Sequence, residues 1–345
     1  MKKYPLVSII MANWNGGEVF NSCLKSLSQI NYPNWELIVI DNGSGDGTTT
    51  LSLDRRFNIK RTYLVKNKIN VGFAPANNQG VKIAKGEYLL LLNNDTLVDK
   101  DFLNIMVDKM ENDPGVGVMQ PKIRMMDTPG YLDNAGSFFT IIGFLHHWGF
   151  GKKDSREFDQ ERDVFATKGA CMLIRQAVLD KTDGLFDDDF VSYFEETDFC
   201  WRVWLIGLRV IYFPNTQIRH KVGFTIKRLD VGSLNYHYYK NRICSLVKNL
   251  SFENLIVILP THLFISAGIS LAFLVKGQFK NFSIIWKAIW WNIVNFKCTF
   301  KKRMKVQKER VISDKTIFSK LLVPVDWKSF YGDFRRIEKD LNKKK

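Results

Sequence analysis

Residues 35–48 read WELIVIDNGSGDGT, and this stretch decides the predicted fold. Its first half is a short, nearly continuous apolar run, typical of a strand that is buried on both faces of a parallel sheet. Its second half is a cluster of acidic, Gly and Ser residues, which ends the strand. The same order of apolar run and polar cluster recurs at residues 6–17 and 88–96. We therefore expect an α/β fold with a mostly parallel central sheet, whose ligands bind at the carboxyl ends of the strands.

Segments between these runs have apolar residues at helical spacing. Residues 18–30 carry apolar side chains three or four positions apart, which predicts an amphipathic helix after the first strand. A second helix is predicted from about Thr197 to Gly207, and a strand around residues 210–213 leads to His220. Strands that alternate with helices favour a Rossmann-like sheet with flanking helices.

Length and composition indicate a folded protein with more than one part. The chain has 345 residues, of which 46% are hydrophobic and 25% charged, the profile of a globular protein. This length suits one large catalytic domain and a smaller extension. The amino-acid composition of the sequence changes near residue 250. We therefore expect a catalytic domain over residues 1–250 and a C-terminal helical region over residues 251–345.

Charge and cysteine content exclude several classes of function. The formal net charge is +15, but residues 276–345 hold 19 Lys and Arg against 6 Asp and Glu, so only +2 remains for the first 275 residues. The basic charge belongs to a tail, which argues against nucleic-acid binding by the chain as a whole. The five cysteines are odd in number and lack C-x-x-C spacing, which disfavours a disulfide framework and a structural zinc site. The first apolar run is too short for a signal peptide, so the expected compartment is the cytoplasm.

Two polar clusters could bind a nucleotide and its diphosphate, and each has a structural alternative. The loop 41–48 could place Asp41 against a base and glycine amides near phosphate, or it could only join a strand to a helix. Asp95 follows a buried strand and could bind Mg²⁺ or Mn²⁺, or it could cap the next turn.

A third cluster could supply acid–base chemistry. Glu195, Glu196 and Asp198 could provide a general base for a substrate hydroxyl, or they could be acids at the positive end of a helix. A base at a solvated helix start is expected to be ionised at working pH. His220 follows a strand and could be a metal ligand or a hydrogen-bonding group.

In this order and spacing, the pieces resemble the family 2 glycosyltransferases, the inverting enzymes of the GT-A fold. The resemblance extends over about residues 4–250 and looks closest to the rhamnosyltransferase-like branch. It implies transfer of a sugar from a dTDP- or UDP-sugar, with a divalent cation, Mg²⁺ or Mn²⁺, and with inversion at the anomeric carbon. The matching pieces are residues 7–15, 41–48, 70–80, 92–96, 168–170 and 186–202.

The resemblance also implies a role for each matching residue. Asp41 would bind the pyrimidine ring, Asp95 would hold the metal, and His220 would be a further metal or phosphate contact. Glu196 would be the catalytic base, with Glu195 as the fallback. The other nucleotide-sugar contacts would be Asn13, Asn15, Asn70, Gly72, Phe73, Asn77, Asn93, Asn94, Gly169 and Ala170.

The sequence departs from the family pattern at two of these positions. The metal motif has Asp95 as its one carboxylate where two are usual, and Glu196 stands where Asp is common. Asp198 and Arg202 are expected to support the helix that carries the base. The single carboxylate leaves open a second hypothesis, a catalytically weak sugar-nucleotide-binding subunit of a membrane assembly. A nucleotidyltransferase is a third hypothesis, but the sequence lacks a basic Gly-rich triphosphate loop near its start.

The C-terminal region has features of a membrane-binding segment. Residues 254–275 form an apolar run long enough to cross a bilayer, but Pro260 and His262 interrupt it. Residues 282–300 follow amphipathic helical spacing and precede the basic cluster 301–305. A single crossing would oppose the positive-inside tendency, so we expect a peripheral or re-entrant association with the cytoplasmic face of the cell membrane, with a lipid-linked saccharide as acceptor. The alternative is that these aromatic residues pack on the catalytic domain.

Overall fold

The computed structural model describes residues 4–48, 57, 59–224, 231–328, 330 and 332. The strands within this part of the chain are β1 Val7–Asn13, β2 Trp35–Asp41, β3 Thr62–Lys66, β4 Tyr88–Leu92, β5 Thr96–Val98, β6 Val116–Met125, β7 Leu132–Asn134, β8 Ser137–Thr140, β9 Leu145–His147, β10 Arg162–Asp163, β11 Cys171–Arg175, β12 Arg209–His220 and β13 Leu322–Val323. The α-helices are α1 Gly17–Leu27, α2 Phe73–Ile83, α3 Phe102–Asn112, α4 Glu195–Leu205, α5 Val231–Asn249, α6 Phe252–Val275, α7 Phe279–Val294, α8 Phe296–Glu309 and α9 Asp314–Leu321.

One large sheet runs through the molecule in the order β10-β12-β6-β11-β4-β1-β2-β3. The strands β4, β1, β2 and β3 are mutually parallel, and β12 is parallel to β6. Strand β11 is antiparallel to its neighbours β4 and β6. The predicted α/β class with a mostly parallel central sheet and flanking helices is therefore confirmed.

Both faces of the sheet are buried, which explains the nearly continuous apolar runs. Along β1, Ile10 packs into one hydrophobic core, whereas its neighbours Ile9 and Met11 pack into the core on the opposite face. Successive side chains of a strand point to opposite faces, so each run must be apolar throughout. Helix α1 buries Phe20 and Leu24 beneath one of these faces.

Most predicted elements are present, but one segment that was predicted to be a single helix forms two helices. The apolar runs at 6–11, 35–40 and 88–92 correspond to β1, β2 and β4. The amphipathic segment 282–300 is interrupted at Asn295, where α7 ends and α8 begins. Asn295 has dihedral angles outside the helical range, φ −94° and ψ 12°, so the prediction of a single helix was wrong.

Helices α5 to α9 form a C-terminal helical layer that packs on the sheet domain. Strand β13 adds to β8 in a small second sheet, and α7 and α8 pack against α5. The basic cluster is largely occupied by the protein itself: Lys302 pairs with Asp187 and Asp189, Lys305 pairs with Asp183, and Arg303 donates to backbone carbonyls of α5 and its end. Three of the four basic side chains of residues 301–305 therefore have partners within the protein, and the association with a membrane stays a prediction. The tail beyond residue 332 lies outside the described residues, and the boundary at residue 250 stays a prediction.

Candidate active site

The ends of β1, β2 and β4 bring the first predicted contacts together. Asn13 and Asp41 are register partners at the carboxyl ends of the parallel strands β1 and β2. Asn94, which follows β4, donates from Nδ2 to Asn13 Oδ1 at 2.6 Å. All three side chains are buried. Parallel strands end at one edge of a sheet, so residues far apart in sequence meet there.

The glycine loop after β2 is held by the residues predicted to bind nucleotide. Asp41 Oδ1 accepts a hydrogen bond from the Ser44 amide at 3.0 Å, which closes a turn. Asn15, with a left-handed φ of 50°, accepts from the Gly45 amide at 2.8 Å and donates its own amide to Ser44 Oγ at 2.9 Å. The turn interpretation of this loop therefore has direct support, and contact between Asp41 and a base stays a prediction.

Asn42 organises the neighbouring loop and was missed by the sequence reasoning. Its Nδ2 donates to Asn70 Oδ1 at 2.8 Å and to the Gly72 carbonyl at 3.1 Å, and its Oδ1 accepts from the Val71 amide at 3.0 Å. These bonds join the end of β2 to the start of α2. The available signal was the position of Asn42 directly after Asp41, where a strand ends in polar residues.

The start of α2 packs tightly against the segment before α4 and the segment before β11. Gly72 has a φ of 97°, and a Cβ built there would lie 2.4 Å from the Val191 carbonyl oxygen, so only glycine fits. A Cβ on Gly169 would lie 3.3 Å from the ring of Phe73. Asn77 is buried and donates to the Phe73 carbonyl at 2.8 Å, so its amide group is used within α2.

Asn93 and Ala170 meet through backbone atoms rather than side chains. The Asn93 amide donates to the Ala170 carbonyl at 3.0 Å, which extends the pairing of β4 with β11. The Asn93 carbonyl accepts from the Thr96 hydroxyl at 2.8 Å. This arrangement fixes the turn that presents Asp95.

Asp95 and His220 face one another in a buried chain of charges. His220 Nε2 lies 3.1 Å from Asp95 Oδ1, and His220 Nδ1 lies 2.8 Å from Asp133 Oδ2. Lys168 Nζ lies 2.5 Å from Asp133 Oδ1. Pairing of β5 with β12 places His220 beside Thr96. The structure thus brings the two predicted metal residues together and adds Asp133 and Lys168 to them.

The charged side chains next to His220 shift one another's pKa. Burial alone would lower the pKa of His220, but the nearby carboxylates of Asp133 and Asp95 outweigh burial and raise the pKa to about 9. Burial alone would raise the pKa of Asp133, but Lys168 and His220 lower it to about 2. Asp133 is therefore a fixed negative charge that orients the His220 ring.

The residues present fit a divalent cation. Asp95 Oδ1 is buried and makes no aligned hydrogen bond within the described part of the chain, although His220 Nε2 is close. Among the described residues, no group of three or more His, Cys, Asp or Glu side chains forms a complete metal site. Mg²⁺ sites commonly use one or two protein ligands and take the rest from substrate phosphates and water. Asp95 matches that incomplete ligand set, and His220 matches it once the ring has released its second proton.

The acid pair begins α4 and is more buried than expected. Glu195 is 5% exposed, and its Oε2 has no hydrogen-bond partner among the described residues. Burial raises the pKa of Glu196 to about 7, and burial with the charge of Glu196 raises that of Glu195. Glu195 is therefore not the solvated carboxylate expected at this helix start, whereas Glu196 is partly exposed and its role as the base stays a prediction.

The backbone before the pair is held in an unfavourable conformation. Tyr193 and Phe194 have φ angles of 69° and 71°, which L-residues adopt at a cost. Asn241 of α5 donates from Nδ2 to the carbonyls of Ser192 and Tyr193, at 3.0 and 2.6 Å, and so stabilises this turn. The helical layer therefore helps to position the acid pair.

Asp198 and Arg202 have the supporting contacts predicted for them. Asp198 is fully buried and bonds to Arg202 Nε at 3.1 Å, Lys248 Nζ at 3.0 Å and Asn249 Nδ2 at 2.9 Å. The positive charges of Lys248 and Arg202 lower the pKa of Asp198 despite burial. Arg202 also donates to the carbonyls of Thr182, Gly184 and Leu185. Two acids of one helix thus have opposite environments, since Asp198 is paired and Glu195 is not.

Lys168 interacts electrostatically with both the Asp95–His220 group and the acid pair. It binds Asp133, and its positive charge opposes the rise in the pKa of Glu196. The sequence motif contained Lys168 but suggested no role for it. Asp133 offered no sequence signal, because it lies on a three-residue strand in an irregular region.

Comparisons with known proteins agree with this fold. The model of glycosyl transferase family 2 matches residues 8–183. A poly-beta-1,6-N-acetyl-D-glucosamine synthase of Staphylococcus epidermidis is 26% identical over 210 residues, covering 60% of this chain and 48% of that protein. This chain thus spans about half the length of that curated relative.

Solved structures show the same fold at low identity. S. aureus TarS 1-349 in complex with UDP-GlcNAc aligns with a TM-score of 0.58 and 17% identity, over 82% of this chain and 80% of that one. GalNAc-T7 with UDP, GalNAc and Mn²⁺ aligns with a TM-score of 0.61 and 15% identity, over 86% of this chain and 58% of that one. These likenesses support the GT-A-like fold, and the sequence match covers more than half of the chain. The chain belongs to glycosyl transferase family 2.

Proposed function

We propose that this protein is an inverting glycosyltransferase that moves a sugar from a nucleotide-diphosphate sugar to a hydroxyl group of a lipid-linked glycan acceptor in cell-surface polysaccharide synthesis. The observation that carries the proposal is the position of Lys168, which contacts the His220–Asp133 pair and acts electrostatically on Glu196. A base and a diphosphate-binding centre at one edge of the sheet are what a single displacement requires.

The transfer step uses the acid pair as proton acceptor. The acceptor oxygen forms a bond to the anomeric carbon while the bond from that carbon to the diphosphate oxygen breaks. The electron pair leaves with the nucleoside diphosphate, the hydroxyl proton passes to Glu196, and the anomeric configuration inverts. With a pKa of about 7, Glu196 is partly ionised at neutral pH and can take this proton.

The Asp95–His220 group would serve the leaving diphosphate. A divalent cation, when bound, offsets negative charge on the diphosphate. Asp95 and His220 would hold it, and Asp133 would keep the His220 ring in position. The presence of Mn²⁺ in the GalNAc-T7 structure supports Mg²⁺ or Mn²⁺ for this site.

Two kinds of donor have support. The UDP-GlcNAc bound in TarS and the name of the synthase relative favour a UDP-sugar such as UDP-GlcNAc. The Asn-Asn-Asp-Thr sequence at residues 93–96 resembles the rhamnosyltransferase-like branch and favours dTDP-rhamnose. A donor screen separates these two choices.

The helical layer supports association with the cytoplasmic face of the membrane. Helix α6 is long and apolar enough to cross a membrane, and only 22% of its most apolar window is buried. Its outer face exposes Phe264 and Val275 at 80% and 88%, whereas its inner face buries His262, Ser266 and Ser270. A helix that is polar inside and apolar outside is arranged for lipid rather than water. Lipid contact would also suit a lipid-linked acceptor.

Helices α6 and α7 form a hairpin that suits a peripheral or re-entrant position. Residues 276–278 join them, and Ser270 Oγ donates to the Phe282 carbonyl at 3.3 Å. Trp286 and Trp290 of α7 are exposed, at 44% and 65%. Trp side chains favour the headgroup region of a bilayer.

A donor screen tests the transferase proposal. The full chain in mild detergent is incubated with UDP-GlcNAc, dTDP-rhamnose and other UDP- and GDP-sugars, with Mg²⁺, Mn²⁺ or EDTA and a lipid-linked acceptor extract. We expect metal-dependent release of nucleoside diphosphate from one donor, and loss of that release in Glu196→Gln. Nucleotide binding without release from any donor, with the acceptor present, would instead support a binding subunit.

Vesicle flotation tests the membrane proposal. We expect the wild-type chain to float with phosphatidylcholine vesicles that contain anionic phosphatidylglycerol, and Phe264→Ser to float less. Tyr63→Ser is the matched control, because Tyr63 is also exposed but lies on β3 at the far edge of the sheet. Equal flotation of both variants and the wild type would count against α6 as the lipid-facing element.

A further inference from the structure

The helical layer contains a buried cation that the proposed transfer step does not use. Arg242 of α5 is 0% exposed, and none of its three guanidinium nitrogens has a hydrogen-bond partner among the described residues. The other buried arginines differ: Arg202 binds Asp198 and carbonyl oxygens, and Arg303 binds two carbonyl oxygens. A buried guanidinium without acceptors is costly, so its presence requires a reason.

Aromatic rings hold the guanidinium without satisfying its donors. The centre of the Tyr238 ring lies 3.9 Å from the guanidinium carbon of Arg242, and that of the Phe144 ring lies 4.1 Å from it. Such contacts stabilise a cation through the faces of the rings. The N–H groups lie in the plane of the guanidinium and need oxygen acceptors. The cage therefore fixes the position of Arg242 and leaves its donors for a ligand.

Polar groups of α6 border the same cage. The His262 ring lies 4.7 Å from the Phe144 ring that also covers Arg242, and His262 Nδ1 lies 3.1 Å from the Ile142 carbonyl. His262 Nε2 and Ser266 Oγ are buried without partners among the described residues. Residues four positions apart share one face of a helix, so both belong to the inner face of α6. Because the Ile142 carbonyl only accepts a hydrogen bond, His262 Nδ1 is the donor and Nε2 of the neutral imidazole is an acceptor. Arg242 and Ser266 are therefore the donors of this group that can bind a phosphate.

This group lies between the acid pair and the lipid-facing helix. The ring of Phe194, which directly precedes Glu195, is 5.6 Å from the Arg242 guanidinium carbon. On the other side, α6 turns its apolar face outward at Phe264. A phosphate near Arg242 would therefore sit where a lipid chain can follow α6 and a sugar hydroxyl can approach Glu196. Ionisable residues within apolar surroundings commonly mark such ligand positions.

We propose that Arg242, with Ser266, binds the phosphate group that links the lipid to the glycan in the acceptor. This inference rests on the lipid-linked acceptor of the proposed function and adds the chemical group by which the acceptor is recognised. We assign the phosphate to a lipid because the outer face of α6 is apolar and exposed. The inner face of the same helix carries Ser266 of the site.

Binding measurements on the full chain in phosphatidylcholine nanodiscs test the site. The probes are polyprenyl phosphate, neutral polyprenol of the same length, and inorganic phosphate in solution. We expect polyprenyl phosphate to bind and the other two to compete poorly. Equal binding of neutral polyprenol would overturn the phosphate site, and equal binding of inorganic phosphate would overturn its assignment to a lipid.

Variants separate ligand binding from a purely structural role. Arg242→Met should weaken polyprenyl phosphate binding by about 10- to 100-fold, the range expected for lost hydrogen bonds to a charged group. Its melting temperature should stay the same or rise, because an unpaired buried charge is removed. Arg242→Lys should restore part of the binding. Arg303→Met is the matched control, since Arg303 is buried and its Nη1 donates to two carbonyl oxygens, and it should lower the melting temperature and leave binding unchanged.

The outcomes distinguish this inference from the proposed function. If Arg242→Met and Arg242→Gln bind polyprenyl phosphate as the wild type does, the site is overturned, whatever the donor screen shows. If the wild type binds the lipid through Arg242 but turns over no donor, the site stands and the transferase proposal fails.

Discussion

Buried polar groups are paired at the carboxyl edge of the sheet, whereas several are left unpaired in the helical layer. At the edge, Asp95, His220, Asp133 and Lys168 form a chain in which each charge faces a partner of opposite sign. In the helical layer, Arg242 and Ser266 are equally buried but have no hydrogen-bond partners among the described residues. The exposed side chains of the layer are largely apolar between Phe252 and Met304.

This difference indicates two ways of preparing for a ligand. A paired network fixes the positions of its members before substrate arrives, at the cost of desolvating several charges. An unpaired group keeps its donors for the ligand and lowers the stability of the empty protein. The acid pair belongs to the second kind, although it lies near the sheet edge, because Glu195 Oε2 is buried without a partner. Paired residues outside the Asp95–His220 group should therefore matter for stability, and unpaired groups for function.

The largest expected effect concerns the acid pair, Glu195 and Glu196. Glu196→Gln should lower the rate of sugar transfer by about 10²- to 10⁴-fold, because the hydroxyl proton loses its acceptor. Nucleotide affinity should not change. Steady-state release of nucleoside diphosphate and equilibrium nucleotide binding measure the two quantities. A larger loss of rate in Glu195→Gln would move the base to Glu195, and normal rates in both variants would contradict the assignment of a base to this pair.

The paired acid two positions later should show the opposite behaviour. Asp198→Asn should reduce the free energy of unfolding by about 3 kcal/mol, because Lys248 and Arg202 lose a buried counter-charge. Urea denaturation followed by circular dichroism measures this change. Asp183→Asn is the control, since its pair with Lys305 is largely exposed and should contribute less than about 1 kcal/mol. Similar small losses for both variants would contradict the distinction between paired and exposed charges.

Asp133 tests whether the paired chain positions a metal ligand. Asp133→Asn should weaken Mn²⁺ affinity in the presence of UDP by about 10- to 100-fold, because the His220 ring loses its charged partner. Titration calorimetry checks this change. Asp154→Asn serves as the control, since Asp154 pairs with Lys122 and Arg124 and has no recorded contact with His220. Unchanged affinity in Asp133→Asn would show that the ring is held by other contacts.

The smallest expected effect is a dependence of stability on pH. The folded protein raises the pKa of Glu196 from 4.5 to about 7, so between these values the folded state binds more protons than the unfolded state. This contribution to stability is complete below about pH 4.5 and is lost as pH rises through 7, with a total of about 1–3 kcal/mol. Unfolding at pH 5.5 and 8.0 should show Glu196→Gln gaining stability relative to the wild type at the higher pH. A constant difference at both values would contradict a raised pKa. The rate of sugar transfer should also decrease as the pH is lowered below about 7.

The sequence predicted the sheet because burial on both faces leaves a local signal. The runs that became β1, β2 and β4 are apolar at nearly every position, and each ends in a polar cluster. The ends of parallel strands share an edge, so Asn13, Asp41 and Asn94 could be placed together without coordinates. The spacing of these motifs also indicated the family to which the chain belongs.

Contacts between distant segments left no such signal. His220 and Asp133 are 87 residues apart, and only the pairing of β7 and β12 with β6 brings them together. The inner polar face of α6 could not be recognised either, because His262 reads as an interruption of an apolar run until its packing against Phe144 is known. Asn295 ends α7 within a pattern that remains amphipathic on both sides.

The sequence by itself therefore determined the strand and helix order, the polar edge of the sheet, the acidic helix start and the apolar C-terminal run. The tertiary structure alone decided which charges are paired, which are left unpaired, and how far each proton affinity moves. The physical reason is range: hydrophobic periodicity acts between neighbours in sequence, whereas desolvation and charge pairing depend on every segment that packs around a group.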